Sequence, residues 1–144
     1  MQTVGIVAAL ALVVIAVFHV VWVVSPWPLA TREELARNVV GRADGSLPLG
    51  FFVPASIGVA AALGFAAYLV SVQAGAVSSS LSEDLVRLGT WGCAAVLLGR
   101  GGWGLLESGL KLGNAPASYR RLDLICYSPL CLVLGGLIAL VALR

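Results

Sequence analysis

The residues that could do chemistry in this chain are few, and they stand in apolar surroundings. Arg100 interrupts the stretch Leu98 to Glu107, which otherwise reads as a membrane helix. An ionisable residue in such a place is costly, and it is usually paired and often functional. Arg100, Trp103 and Glu107 follow at i, i+3 and i+7, so they share one helix face. Tyr119, Asp123 and Tyr127 follow at i, i+4 and i+8 on another. His19 and Trp22 lie three apart, and Trp27 comes shortly after.

These types suit acid–base and cation-stabilising work. Asp123 or Glu107 can serve as a proton donor where burial favours the protonated acid, with His19 as the base. The rings of Trp22, Trp103 and Tyr127 can face a carbocation. Arg100 can hold an acid's orientation or bind a polar head, and Trp27 and Tyr119 are further substrate-binding candidates. Each residue also has a plainer use. Arg100 can snorkel to the head groups. Trp22, Trp27 and Tyr119 can form an interfacial belt. His19 can be a packing residue, and Asp123 a helix-start acid. Within the bundle Arg100 has two acids to meet. Glu107 is two turns along its own helix, about 10 Å away, so Asp123 is the better geometric partner.

The elements that must position these residues are set by composition. The chain has 144 residues, 60% hydrophobic and 11% charged, with a mean hydropathy of +1.00. Soluble domains carry roughly 25% charged residues, so lipid is the expected solvent. Apolar stretches of spanning length run over 4–24, 50–73, 85–106 and 122–143. In a bilayer core each must be helical. The predicted fold is therefore all-α, a single membrane domain over 1–144 built as a four-helix transmembrane bundle. Proline at Pro26 and Pro28 stops the first span. Thr31 to Glu34 is a capping-box pattern, and Gly41 can end the short helix that follows. That 32–40 segment is predicted to lie in the membrane interface. Ser82 and Ser118 are expected caps for the third and fourth helices. Pro129 frees the carbonyl of Ile125 and is expected to kink the last helix.

A net charge of +2 points to no nucleic acid. Cys93, Cys126 and Cys131 read as buried small hydrophobes. One histidine and no CxxC leave no metal site expected, and no cofactor motif is present. A cleaved signal peptide is not expected, because no basic region precedes Val4. Links one and three carry Arg32, Arg37, Arg42, Lys111, Arg120 and Arg121, against Arg87 and Arg144 at the other end. The positive-inside rule places those links in the cytoplasm and both termini outside. Nearly all the chemical residues gather at the cytoplasmic end, and the other offers only Tyr68, Gln73 and Trp91. The glycines Gly99, Gly101, Gly102 and Gly104 are expected to let neighbouring helices close around Arg100 and Trp103.

Three motifs together resemble a known family: His19-x-x-Trp22 with Trp27-Pro28, then Arg100-Gly-x-x-Gly104, then Tyr119-Arg-x-x-Asp-x-x-x-Tyr-Ser-Pro-Leu-Cys131. The family is one of small four-helix bacterial membrane proteins classed as a domain of unknown function. The resemblance covers most of the chain, and its last motif is the most distinctive. It implies the fold and a bacterial cell membrane, and no established activity.

The leading functional expectation is a membrane-embedded enzyme acting on a lipid or isoprenoid, by proton-initiated terpenoid cyclisation or isomerisation. The alternative is a non-enzymatic accessory subunit or lipid-binding scaffold, with a second copy or a membrane partner on its glycine-rich faces. The third is a small transporter, against which the outer half offers few polar residues to line a path.

Overall fold

The computed structural model describes residues 1–143, and they are helical without strands. Arg144, counted above for orientation, lies outside the described residues. Helix α1 (Gln2–Val24) leads to a short α2 (Arg32–Leu35) that widens into a π-helical turn (Ala36–Val40). Then come α3 (Leu49–Gln73) and α4 (Glu83–Gly109). The last run is α5 (Ala117–Leu122), a second π-helical turn (Asp123–Tyr127) and α6 (Ser128–Ala142).

Three of these segments are long and apolar enough to cross a membrane: α1, α3 and the continuous run Ala117–Ala142. The expectation of four spans is met to that extent. Helix α4 is just as long, but Arg100 and its many glycines dilute its apolar content, and acids sit near both its ends. It nonetheless packs as a fourth member, along α6 and α3, while α1 packs along α3. Ala8, Leu12, Val70, Ala94, Ile138 and Val141 are buried where these helices meet. Small residues set the spacing: at Gly101 an added Cβ would meet the Ser128 carbonyl oxygen at 2.8 Å.

The caps follow local chemistry. Thr31 Oγ1 accepts from the Glu34 amide at 3.1 Å, and Glu34 Oε2 accepts from the Ala30 amide at 2.9 Å. Gly41 ends this segment in the left-handed region at φ +83°, where glycine carries no Cβ penalty. Ser82 caps α4 as expected, accepting from Leu85 N. The expected Ser118 cap is a correction: the last helix begins five residues before the 122 boundary, at Ala117, with Pro116 at the cap position. Proline at that point costs no donor, since the first amides of a helix have no internal partner. The segment 32–40 docks on α5, with Leu35 and Ala36 fully buried. Arg32 Nη2 donates to the carbonyls of Val23 and Val24, at 3.4 and 3.2 Å, and so closes the negative end of α1. The cysteines also need correcting. Cys126 is exposed, and Cys93 and Cys131 are half-buried, with Cys93 packed against the edge of the core.

Candidate functional site

The centre of the loaded end is a carboxylate. Asp123 is 1% exposed, and three side chains donate to it. Arg100 Nη2 reaches Oδ1 at 3.0 Å, Ser128 Oγ reaches Oδ1 at 3.0 Å, and Ser108 Oγ reaches Oδ2 at 2.6 Å. A buried charge is tolerated when it is paired and its remaining lone pairs are satisfied, and both conditions hold here. Arg100 Nη2 also donates to the Tyr119 hydroxyl at 3.1 Å. The arginine is thus held by two residues of the last run while its side chain remains 41% exposed.

Backbone geometry makes this arrangement possible. Gly104, one turn beyond Arg100, is buried, and a Cβ added there would fall on Ser128 Oγ and Arg100 Nη1. The π-turn matters as much. Its amide bond runs from Ser128 to the Asp123 carbonyl, five residues back. Residues five apart therefore meet, and Ser128 donates to the side chain of Asp123. Pro129 follows directly and supplies no amide donor; the expected departure from α-geometry is this wide turn. The glycine expectation holds for Gly101 and Gly104 only. Nothing approaches Gly99 or Gly102 within 4 Å, so those two face outward.

The other candidate residues sort into four places. Tyr127 lies beside Tyr119, with ring centroids 6.1 Å apart, and its hydroxyl donates to the Asn38 carbonyl at 3.0 Å. It therefore ties the 32–40 segment to the last helix. Glu107 and Tyr119 line an open groove of about 460 Å³ with Val40, Arg42, Asp44 and Asn114. Glu107 has no hydrogen-bond or ion-pair partner among the described residues. Trp103 points outward and is 60% exposed.

His19, Trp22 and Trp27 form a separate cluster at the end of α1. His19 Nδ1 bonds the Ile15 carbonyl at 2.8 Å, Trp22 Nε1 donates to the Trp27 carbonyl at 3.1 Å, and Trp27 stacks on Phe18. Among the described residues no Cα of α1 comes within 8 Å of one in α4 or the second π-turn. The structure therefore brings no close approach between the His19/Trp22 wall of the expected pocket and its Arg100/Trp103 wall, and His19 bonds within its own helix.

Ser108, Ser128 and Asn38 are the polar partners the sequence analysis did not single out. Ser108 carries a usable signal, eight residues from Arg100 on the same face. Ser128 carries none in an α-helical reading, because five residues place it off the Asp123 face.

Chemically, Asp123 accepts from three donors. Arg100 is arranged as a fixed, partly open donor. No group of metal-ligating side chains occurs among the described residues.

No curated protein and no solved structure matches the chain. A family model described as a protein of unknown function does match, over residues 12–138, in keeping with the resemblance carried by the three motifs. By that match over most of its length, the chain belongs to the DUF3995 family of proteins of unknown function.

Proposed function

We propose that this protein is a lipid-binding membrane protein that seats an amphipathic lipid or isoprenoid against Arg100. One observation carries this reading: a guanidinium fixed from behind by buried Asp123 and by Tyr119, yet 41% exposed, with Trp103 open on the same flank. A purely structural ion pair gains nothing from leaving its arginine open to lipid. In this reading all four long helices span. The acids of α4 lie near the interfaces, and Arg100 is neutralised by Asp123. The basic links one and three face the cytoplasm, and the amino terminus lies outside.

The test is mass spectrometry of native lipid retained by the purified protein. The expected result is one lipid species held at fixed stoichiometry, reduced in Trp103→Ala. A folded wild-type protein that holds no lipid but co-purifies with a membrane protein at fixed ratio favours the accessory-subunit reading instead.

A second reading keeps the enzyme. Glu107 is half-buried, has no partner among the described residues, and shares a groove with Tyr119, which suits a proton donor to an isoprenoid entering there. Asp123, with three donors already directed at it, is not the acid in this version. Glu107→Gln would then retain the bound isoprenoid and lose its turnover.

A further inference from the structure

Arg100 has more donors than the protein uses. A guanidinium carries five N–H groups. Both N–H groups of Nη2 are taken, by Asp123 Oδ1 at 3.0 Å and the Tyr119 hydroxyl at 3.1 Å. The groups on Nε and Nη1 meet no acceptor among the described residues. Nη1 lies over Gly104 near Ser128 Oγ, and the open flank of the residue is apolar. One turn to either side on the same flank, Val96 is 72% and Trp103 is 60% exposed. Helix α4 ends at Gly109, nine residues beyond Arg100 (109 − 100). The 27 residues of α4 span about 40 Å, longer than a hydrocarbon core of roughly 30 Å, and Arg100 Nη1 lies over Gly104, a turn nearer that end, so the guanidinium sits inside the core close to its edge. An N–H group that faces lipid there without an acceptor is costly.

Charge decides what kind of acceptor fits. Asp123 already neutralises Arg100. An anionic head group drawn to this depth would leave the site net negative in an apolar medium. A neutral acceptor adds no charge and still satisfies the spare N–H groups. A carbonyl oxygen, with two lone pairs, meets that need. The exposed indole of Trp103 adds a flat apolar face alongside.

We propose that Arg100 hydrogen-bonds the carbonyl of a neutral membrane lipid, either the ring of an isoprenoid quinone or the ester of an acyl lipid. This rests on the lipid-binding reading above and narrows the head group to a neutral carbonyl.

The test uses the full chain in nanodiscs of ether-linked phosphatidylcholine, which lack ester carbonyls. The probe is a short-chain isoprenoid benzoquinone with ¹³C-labelled carbonyls, followed by infrared spectroscopy and by retention. Wild type is expected to bind it and shift its carbonyl stretch to lower frequency. Arg100→Lys keeps a charge opposite Asp123 but has at most one spare donor, so it binds about tenfold more weakly. The double variant Arg100→Met/Asp123→Leu removes both charges together, so the bundle keeps no unpaired ion and the shift is lost. In ester-linked discs without quinone, a shifted ester band in wild type and not in the double variant assigns the acyl lipid as the source. Two results overturn the proposal while leaving lipid binding intact: tighter binding of the tail-matched isoprenyl monophosphate, or a carbonyl shift unchanged in both variants. Folded wild type that retains neither quinone nor phosphate and perturbs no ester band overturns both.

Discussion

The chain twice sets an arginine and serine hydroxyls around an aspartate, in opposite surroundings. In the first link Arg42 pairs with Asp44 at 3.1 Å, and Ser46 Oγ donates to Asp44 at 2.7 Å. In the bundle Arg100 pairs with Asp123 at 3.0 Å, and Ser108 and Ser128 complete the carboxylate. The arginines are alike, 44% and 41% exposed, but Asp44 is 59% exposed and Asp123 only 1%. Exposed ion pairs contribute about 0–1 kcal/mol, because water competes for both partners. A buried carboxylate has no such alternative, so removing a partner leaves an uncompensated charge. Identical chemistry therefore shapes a loop in one place and holds helices together in the other. The difference lies in the burial of the acid, not in the arginine.

The comparison can be broken most directly at the two acids. Asp123→Ala strands Arg100 and two serine hydroxyls and is expected to cost about 3–5 kcal/mol, whereas Asp44→Ala, at an exposed pair, is expected to leave the unfolding midpoint nearly unchanged. Thermal unfolding in detergent measures both. Equal losses would mean that the bundle carboxylate is not the keystone described here.

The next effect tests the close approach beneath the buried carboxylate. Gly104→Ala places a methyl on Ser128 and Arg100 and is expected to cost about 1–3 kcal/mol. Gly102→Ala, on the open side of the same helix, is expected to be neutral or stabilising by up to about 1 kcal/mol. If the two behaved alike in the same unfolding assay, the packing at Gly104 would be looser than the geometry indicates.

The smallest effect concerns acid. Hydrogen bonds from Arg42 and then Ser46 hold the Asp44 carboxyl well below its usual 3.8. A depressed folded value means the contribution is complete above about 3.8 and is lost only as pH falls through the depressed value. The Arg42–Asp44–Ser46 loop is therefore expected to keep its amide exchange protection from neutral pH down to about 4 and to lose it only in stronger acid. Loss of protection at pH 5 to 6 would show that the pair does not hold the loop.

Much of the architecture was legible from apolar run lengths, because lipid forces helices and sets their length. The preference of Arg100 for Asp123 over Glu107 was also legible, since rise per residue rules out a partner two turns along the same helix. The missing parts have definite causes. The π-turn at Asp123–Tyr127 shifts Ser128 onto the carboxylate, and 3.6-residue periodicity cannot anticipate a five-residue bond. The separation of His19 from the acids depends on which helices are neighbours, and depth along each helix says nothing about that. Gly99 and Gly102 looked equivalent to Gly101 and Gly104 because composition does not record which way a helix is turned.

From sequence alone, then, came the helices, their order and the end of the bundle that carries its polar side chains, since hydropathy and spacing act along one chain. Only the tertiary structure decided that the third and last long helices, not the first, enclose the carboxylate. It also decided that Arg100 keeps donors on Nε and Nη1 that no acceptor among the described residues takes. Both depend on how helices rotate and approach one another, and that is settled by packing between segments distant in sequence.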